Sequence, residues 1–197
     1  IELIHVSDTK WSYSGGGYSV VQLLIEDVSG MTFEDYIQKK VFEPLGMESS
    51  TFNVTDKVMT RSATPYDEAG KVTTMVYFDE KAAAGLQTSA IDLARFNMAI
   101  LRNKDGEYNG STLLSEKFID LMIKPAPNTS GRWSMSYIVD AENNSLGFAG
   151  FNRGWIALTR SVTDQNIGYV ILTNSSIGLV SNEIDSLILS TVNSIRD

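Results

Sequence analysis

An α+β fold is predicted by three features of this chain of 197 residues. Helical periodicity organises the part up to about residue 124. After it, apolar residues alternate with polar or small ones, the period of a half-buried strand. Past Leu179 the helical spacing returns for a last apolar stripe. Helices first, then antiparallel strands, then one helix to cover the sheet is an α+β order. The expectation is one domain, mainly helical over 1–124, with the sheet and its covering helix over 125–197.

The elements follow in order. A first helix is expected from about Ser19 to Val28, with Val20, Leu23, Leu24 and Val28 on one face and Gly30 as its stop. Thr32 opens a second, with Asp35 as capping-box partner, and it ends before Pro44. Pro44-Leu45-Gly46-Met47 reads as a turn that packs Leu45 and Met47 inward. From Ser49 to Thr88 the chain is polar and irregular, with Thr51-Phe52, Pro65-Tyr66 and Val72 to Phe78 as candidate short strands. So long a connection inside a compact domain usually serves function. Ser89 with Asp92 caps a third helix whose apolar face is Leu93, Phe96, Ile100 and Leu101. Asn103 to Gly110 is a turn, and Ser115 caps a short helix through Phe118, Leu121 and Met122 that Pro125 ends.

Three strands are expected beyond Trp133: one through Trp133, Met135, Tyr137 and Val139, one from Phe148 to Thr159, and one from Ile167 to Thr173. A turn at Thr163-Asp164-Gln165-Asn166 joins the last two. The closing helix, Leu179 to Ile195, should bury Val180, Ile184, Leu187, Ile188 and Ile195.

Composition narrows the partners. A formal net charge of −8 argues against nucleic acid and against an anionic membrane. No run of about eighteen apolar residues is present to span a bilayer. With 0 Cys and 1 His, neither a disulfide framework nor a zinc site is expected, and no cofactor is called for. Ile1 reads as a processed or cut start.

The stretch with chemical content is Trp11-Ser12-Tyr13-Ser14-Gly15-Gly16-Gly17-Tyr18. Three glycines allow a left-handed turn and a close approach, and a turn there would aim the Tyr13 phenol at a fixed point. Tyr13-Ser14-Gly15-Gly16-Gly17-Tyr18, then Gly30, then Phe42-Glu43-Pro44-Leu45-Gly46-Met47, then Ala84-Gly85-Leu86-Gln87-Thr88-Ser89-Ala90-Ile91-Asp92-Leu93-Ala94 resemble, in order and spacing, the serine β-lactamase-related family. That family includes class C-type β-lactamases, D-alanyl-D-alanine peptidases and esterases. The resemblance implies a β-lactamase/transpeptidase-like fold, here with an incomplete sheet. It implies acyl transfer on D-alanyl peptides, β-lactams or small esters, in the bacterial periplasm, at the cell envelope or outside the cell.

The family's nucleophile is a serine in a Ser-x-x-Lys helix well upstream of the tyrosine. The expectation is that no Ser-x-x-Lys precedes Tyr13, since only twelve residues could hold it. The chain is expected to match the later two-thirds of such a protein, inactive alone, with a non-catalytic binding or structural domain as the alternative. The resemblance makes Tyr13 the catalytic tyrosine. A phenol ionises at about 10, so it serves as a base only beside cations that stabilise the phenolate. The third motif falls on Gly147 to Trp155: Gly150 lets substrate lie along the strand, Phe151 N–H corresponds to an oxyanion donor, and Phe148 stands where a cation or polar residue is expected. Arg153 is a candidate replacement cation.

Other constellations are weaker. Ser14 lacks a lysine one turn on, and His5, Ser7 and Asp8 on an extended segment point to opposite faces. Glu26-Asp27 and Glu34-Asp35 read as solvated or capping carboxylates. An unpaired sheet edge points to a homodimer or to pairing with an upstream segment.

Overall fold

The computed structural model describes residues 4–6 and 9–195. Helix α1 (Gly15–Ser29) begins four residues before the expected Ser19, because the Ser14 side chain accepts the Gly17 N–H at 3.0 Å and caps it. None of Gly15, Gly16 and Gly17 has positive φ, so the glycine run is the first helical turn and not a left-handed one. Gly30 (φ 66°) ends α1 as expected.

Helix α2 (Phe33–Ile37) is capped by Thr32, whose hydroxyl accepts from Asp35 N–H. The helix does not stop before Pro44. It widens into a π turn over Gln38–Phe42 and resumes as α3 (Glu43–Leu45), which Gly46 (φ 67°) closes. Pro44 is tolerated because it sits at the start of a new helical turn, where its missing N–H costs nothing. Glu26 is not merely solvated: its carboxylate accepts the Phe33 N–H at 3.1 Å and ties α1 to α2. Glu34 pairs with Lys81, the first residue of a helix over Lys81–Ala84. Phe33 and Phe42 pack against Phe52 at 5.0 and 5.8 Å, beside buried Met47.

The irregular stretch carries helix α4 (Asp56–Arg61) and that short Lys81–Ala84 helix, α5, neither of which the apolar spacing reveals. Its expected strands reduce to single bridges, Thr51 with Gln87 and Tyr66 with Val72. Helix α6 (Ala90–Met98) is capped by Ser89 as the sequence indicates. Its inward face differs from the expected one: Asp92 and Asn97 are buried while Phe96 is exposed. A 3-10 turn (Asn109–Thr112) precedes α7 (Glu116–Ile123), which buries Ile119 and leaves Phe118 and Leu121 exposed.

Four strands form one antiparallel sheet in sequential order: β1 (Ile138–Asp140), β2 (Ser145–Asn152), β3 (Trp155–Val162) and β4 (Ile167–Thr173). The expected strand from Phe148 to Thr159 is therefore a hairpin. Asn152 pairs with Trp155, so Arg153 and Gly154 form a two-residue turn. Gly154 has φ 85°, and a Cβ there would lie 2.5 Å from Pro65 Cβ. Only glycine fits both the conformation and the space. Trp133 to Tyr137 is not strand but a tight loop, in which the Ser134 hydroxyl accepts from Tyr137 N–H at 2.9 Å.

The sheet is covered on both faces. Side chains of successive strand residues point to opposite sides. Ser161 bonds Asn97 of α6 at 2.9 Å, and Arg160 bonds Asp185 of helix α8 (Gly178–Ser194). The closing helix packs through Ser181, Asp185 and Val192; Val180, Ile184, Leu187 and Ile195 of the expected stripe are exposed. Burial is the largest single effect on Arg160 and would lower its pKa, but the hydrogen bond to Asp185 together with the charges of Asp185, Tyr169 and Asp140 outweighs it, and the pKa is raised. Tyr169, which donates to Asp185 at 2.6 Å, is raised by burial and then by that bond. Ile100, Tyr108, Ile119, Tyr137 and Leu146 form an apolar core between α6, α7 and the sheet, where burial pushes the Tyr137 hydroxyl up to about 12.

Candidate active site

Tyr13 lies just before the Ser14 cap of α1 and is 67% exposed. Beside it, Trp11 stacks on Trp133 with ring centroids 4.8 Å apart. The Tyr13 ring is 6.5 Å from that of Trp133, and Phe148 of β2 meets the same indole edge-on at 6.3 Å. Trp133 thus joins the tyrosine turn to the strand. Its loop is well held: the Trp133 carbonyl accepts from Ala126 N–H at 2.7 Å and from the Thr129 hydroxyl at 3.1 Å. Nothing in the strand-like alternation around Trp133 signals this bridging role; only the tertiary contact reveals it.

β2 pairs with β1 only over Ser145 to Gly147, whereas its pairing with β3 runs to Asn152. From Phe148 to Asn152 the outer edge has no strand partner among the described residues. A Cβ built on Gly150 would meet nothing within 4 Å, and Phe151 is 60% exposed. An extended chain could add to such an edge.

Next to this edge lies a cavity of about 730 Å³, walled by Ser49 to Thr51, Arg61, Phe78, Leu86 to Ser89, Gly150 and Arg153. Phe78 lines it, whereas Tyr66 and Tyr77 of the same irregular stretch do not. Tyr77 donates to Met59 Sδ at 2.9 Å, and Tyr66 bridges to Val72 and Ser175. Neither Tyr13 nor Phe148 lines this cavity, whereas Gly150 of the same strand as Phe148 does. A network that sequence spacing does not show holds the cavity wall: Asp92 accepts from Ser49 N–H at 2.6 Å and from the Ser50 hydroxyl at 3.0 Å.

Among the described residues the Tyr13 hydroxyl has no hydrogen-bond or ion-pair partner, and Arg153 lines the cavity instead of approaching Tyr13. A Ser-x-x-Lys spacing does occur once, at Ser7-Asp8-Thr9-Lys10, which corrects the expectation that none precedes Tyr13. Ser7 and Asp8, and with them the His5 constellation, lie outside the described residues; Lys10 is exposed and non-helical, so the one-turn geometry that motif needs is not formed by it. Ser14 spends its hydroxyl on the α1 cap.

Among the described residues no helix is long and apolar enough to cross a membrane. The family model described as Beta-lactamase matches residues 2–190. The putative penicillin-binding protein PbpX of Bacillus subtilis (strain 168) is 29% identical over 187 residues, covering 90% of this chain and 44% of that protein. Penicillin-binding protein 4* of the same organism is 29% identical over 47% of this chain and 24% of its own length. The chain therefore spans less than half the length of the curated relatives it matches. The octameric penicillin-binding protein homologue from Pyrococcus abyssi superposes with a TM-score of 0.68 at 25% identity, over 86% of this chain and 40% of that one. A β-lactamase from Sulfitobacter sp. EE-36 shares the fold at a TM-score of 0.73 and 17% identity, over 94% of this chain and 60% of its own. The ordered helices, the open four-stranded sheet and the family match over residues 2–190 have one common account: this chain belongs to the beta-lactamase family.

Proposed function

We propose that this chain supplies the tyrosine side and the strand-edge side of an acyl-transfer cleft in a serine hydrolase of the penicillin-recognising type. Its substrates would be D-alanyl peptides, β-lactams or small esters. The observation that supports this best is the convergence on Trp133 of Tyr13 at 6.5 Å and Phe148 at 6.3 Å. In this reading Tyr13 is the proton-transfer residue, Gly150 and Phe151 hold the substrate along the β2 edge, and Phe151 N–H faces the developing oxyanion. Phe148 carries no donor and no charge, so it can shape the cleft but cannot stabilise a phenolate. With no cation on Tyr13 and no serine paired to a lysine on a helix among the described residues, these residues by themselves form no acyl-enzyme, since removing the nucleophile removes the covalent route.

The test is to incubate the chain with a reactive β-lactam or a nitrophenyl ester and weigh the intact protein. No adduct is expected here, and a stoichiometric adduct is expected in a form extended upstream of Ile1. An adduct on this chain that maps to one serine, Ser7 included, and disappears in Tyr13→Phe would overturn the inactive reading. No adduct in either form would leave a binding domain with the family's cleft, the reading that Phe148 favours.

The exposed apolar face of α1, with Leu23, Leu24 and Val28, is proposed to be covered by a second copy or an upstream segment. Sedimentation velocity checks this: a well-folded monomer at high concentration would exclude the covering.

A further inference from the structure

The cavity beyond Gly150 is cationic although the chain's net charge is −8. Among its lining residues Lys57, Arg61 and Arg153 are cations, against one carboxylate, Glu48. They come from two elements far apart in sequence, α4 and the β2–β3 turn. None of the three forms an ion pair among the described residues. Arg61 makes one long bond, from Nη2 to Ser49 Oγ at 3.4 Å. The cations are therefore free to meet a ligand.

Unpaired surface arginines are common, and by themselves they would be no more than a solvated face. Two features set these apart. They line a concave site whose other walls include Phe78, Leu86 and Trp155, so charge sits beside apolar surface. Their backbones are also anchored. Gly154, next to Arg153, donates its N–H to the Ser176 hydroxyl at 2.7 Å and is wedged against Pro65. Helix α4 is held at its ends by the Thr55 cap and by Ser62 Oγ donating to the Val58 carbonyl at 2.9 Å.

We propose that this cavity is the specificity pocket for an acyl portion that ends in a carboxylate, with Arg61 and Arg153 as its binding residues. This rests on the acyl-transfer reading and names its substrate class: the group beyond the scissile bond has an apolar body of a few carbons and an anionic end. Arginine suits the task, because its planar fork binds a carboxylate through two parallel hydrogen bonds.

The experiment titrates the isotope-labelled 197-residue chain with 4-benzoylbutyrate and, separately, with its neutral amide, following NMR shifts of Gly150, Asn152 and the Trp155 indole. Neither probe has an acyl leaving group, so binding is read independently of any acylation. The acid should bind saturably at the cavity and the amide at least about tenfold more weakly. Arg61→Gln and Arg153→Gln should each weaken the acid several-fold without moving thermal unfolding, and added salt should do the same. Equal binding of acid and amide, insensitivity to both substitutions, or no saturable shift at the cavity would each overturn the proposal. Acid-selective binding, with no adduct even in the form extended upstream of Ile1, would reject acyl transfer while leaving the anion-binding pocket standing.

Discussion

Replacing Asp92 by alanine is expected to lower the unfolding free energy by about 3 kcal/mol, measured by urea denaturation. Asp92 is 2% exposed, and its carboxylate is the common acceptor for Ser49 N–H, the Ser50 hydroxyl and Arg95 Nη1, at 2.6, 3.0 and 2.9 Å. The ion pair contributes the smaller share, because the Arg95 side chain is 42% exposed and water screens it. The larger share comes from leaving the part-buried Ser49 N–H without its acceptor and the buried Ser50 hydroxyl with only Thr88 Oγ1 at 2.8 Å, together with the space vacated. Asp92→Asn should cost roughly half as much, since an amide oxygen still accepts but carries no charge. Because Ser49 and Ser50 line the cavity, the loss should also weaken ligand binding there. A cost below about 1 kcal/mol, the range of ordinary surface changes, would show that the serines find other partners.

An effect of similar size, about 3 kcal/mol, is expected for Asp185→Ala. Arg160 reaches Asp185 through Nε at 3.0 Å and Nη2 at 2.8 Å, a two-pronged pair with both side chains mostly shielded. Without Asp185 the guanidinium keeps only Asp140 at 3.2 Å and Ser145 at 2.8 Å, and Tyr169 loses its acceptor. The packing of α8 on the sheet runs through Ser181, Asp185 and Val192, so hydrogen exchange should speed up in α8 before the rest of the fold. The double change Arg160→Met with Asp185→Leu should recover part of the loss, since it removes both members of the shielded pair, although Asp140 and the Tyr169 hydroxyl lose those partners. If the single variant is neutral, or the double variant is worse than the single, the pair is not what docks the helix.

Local chemistry makes much of this architecture legible in the amino-acid sequence. Thr32, Ser89 and Gly30 sit where they mark helix ends because a cap involves atoms three or four residues apart, all present in the local sequence. In the strand region the period of two that follows from the pleat marks Trp133 to Val139, of which only the end from Ile138 is strand. The motif series from Tyr13 to Ala94 points to the family, and Gly150 and Phe151 do lie on an open strand edge. The single strand expected from Phe148 to Thr159 runs through the Arg153-Gly154 turn, although Asn152-Arg153-Gly154 breaks the apolar run there, and the fit of Gly154 against Pro65 fixes the reversal.

Orientation is settled by tertiary contact. In α6 and α8 the buried positions include Asp92, Asn97, Ser181 and Asp185, while apolar neighbours face outward. An apolar stripe predicts a buried face only where the opposing surface is apolar. Here Arg160 on the sheet demands a carboxylate, and the Ser49–Ser50 turn demands an acceptor; those partners lie 25 and more than 40 positions away. The site obeys the same rule. Tyr13 and Phe148 each meet the Trp133 indole, which joins two segments through contacts that no periodicity in either of them encodes.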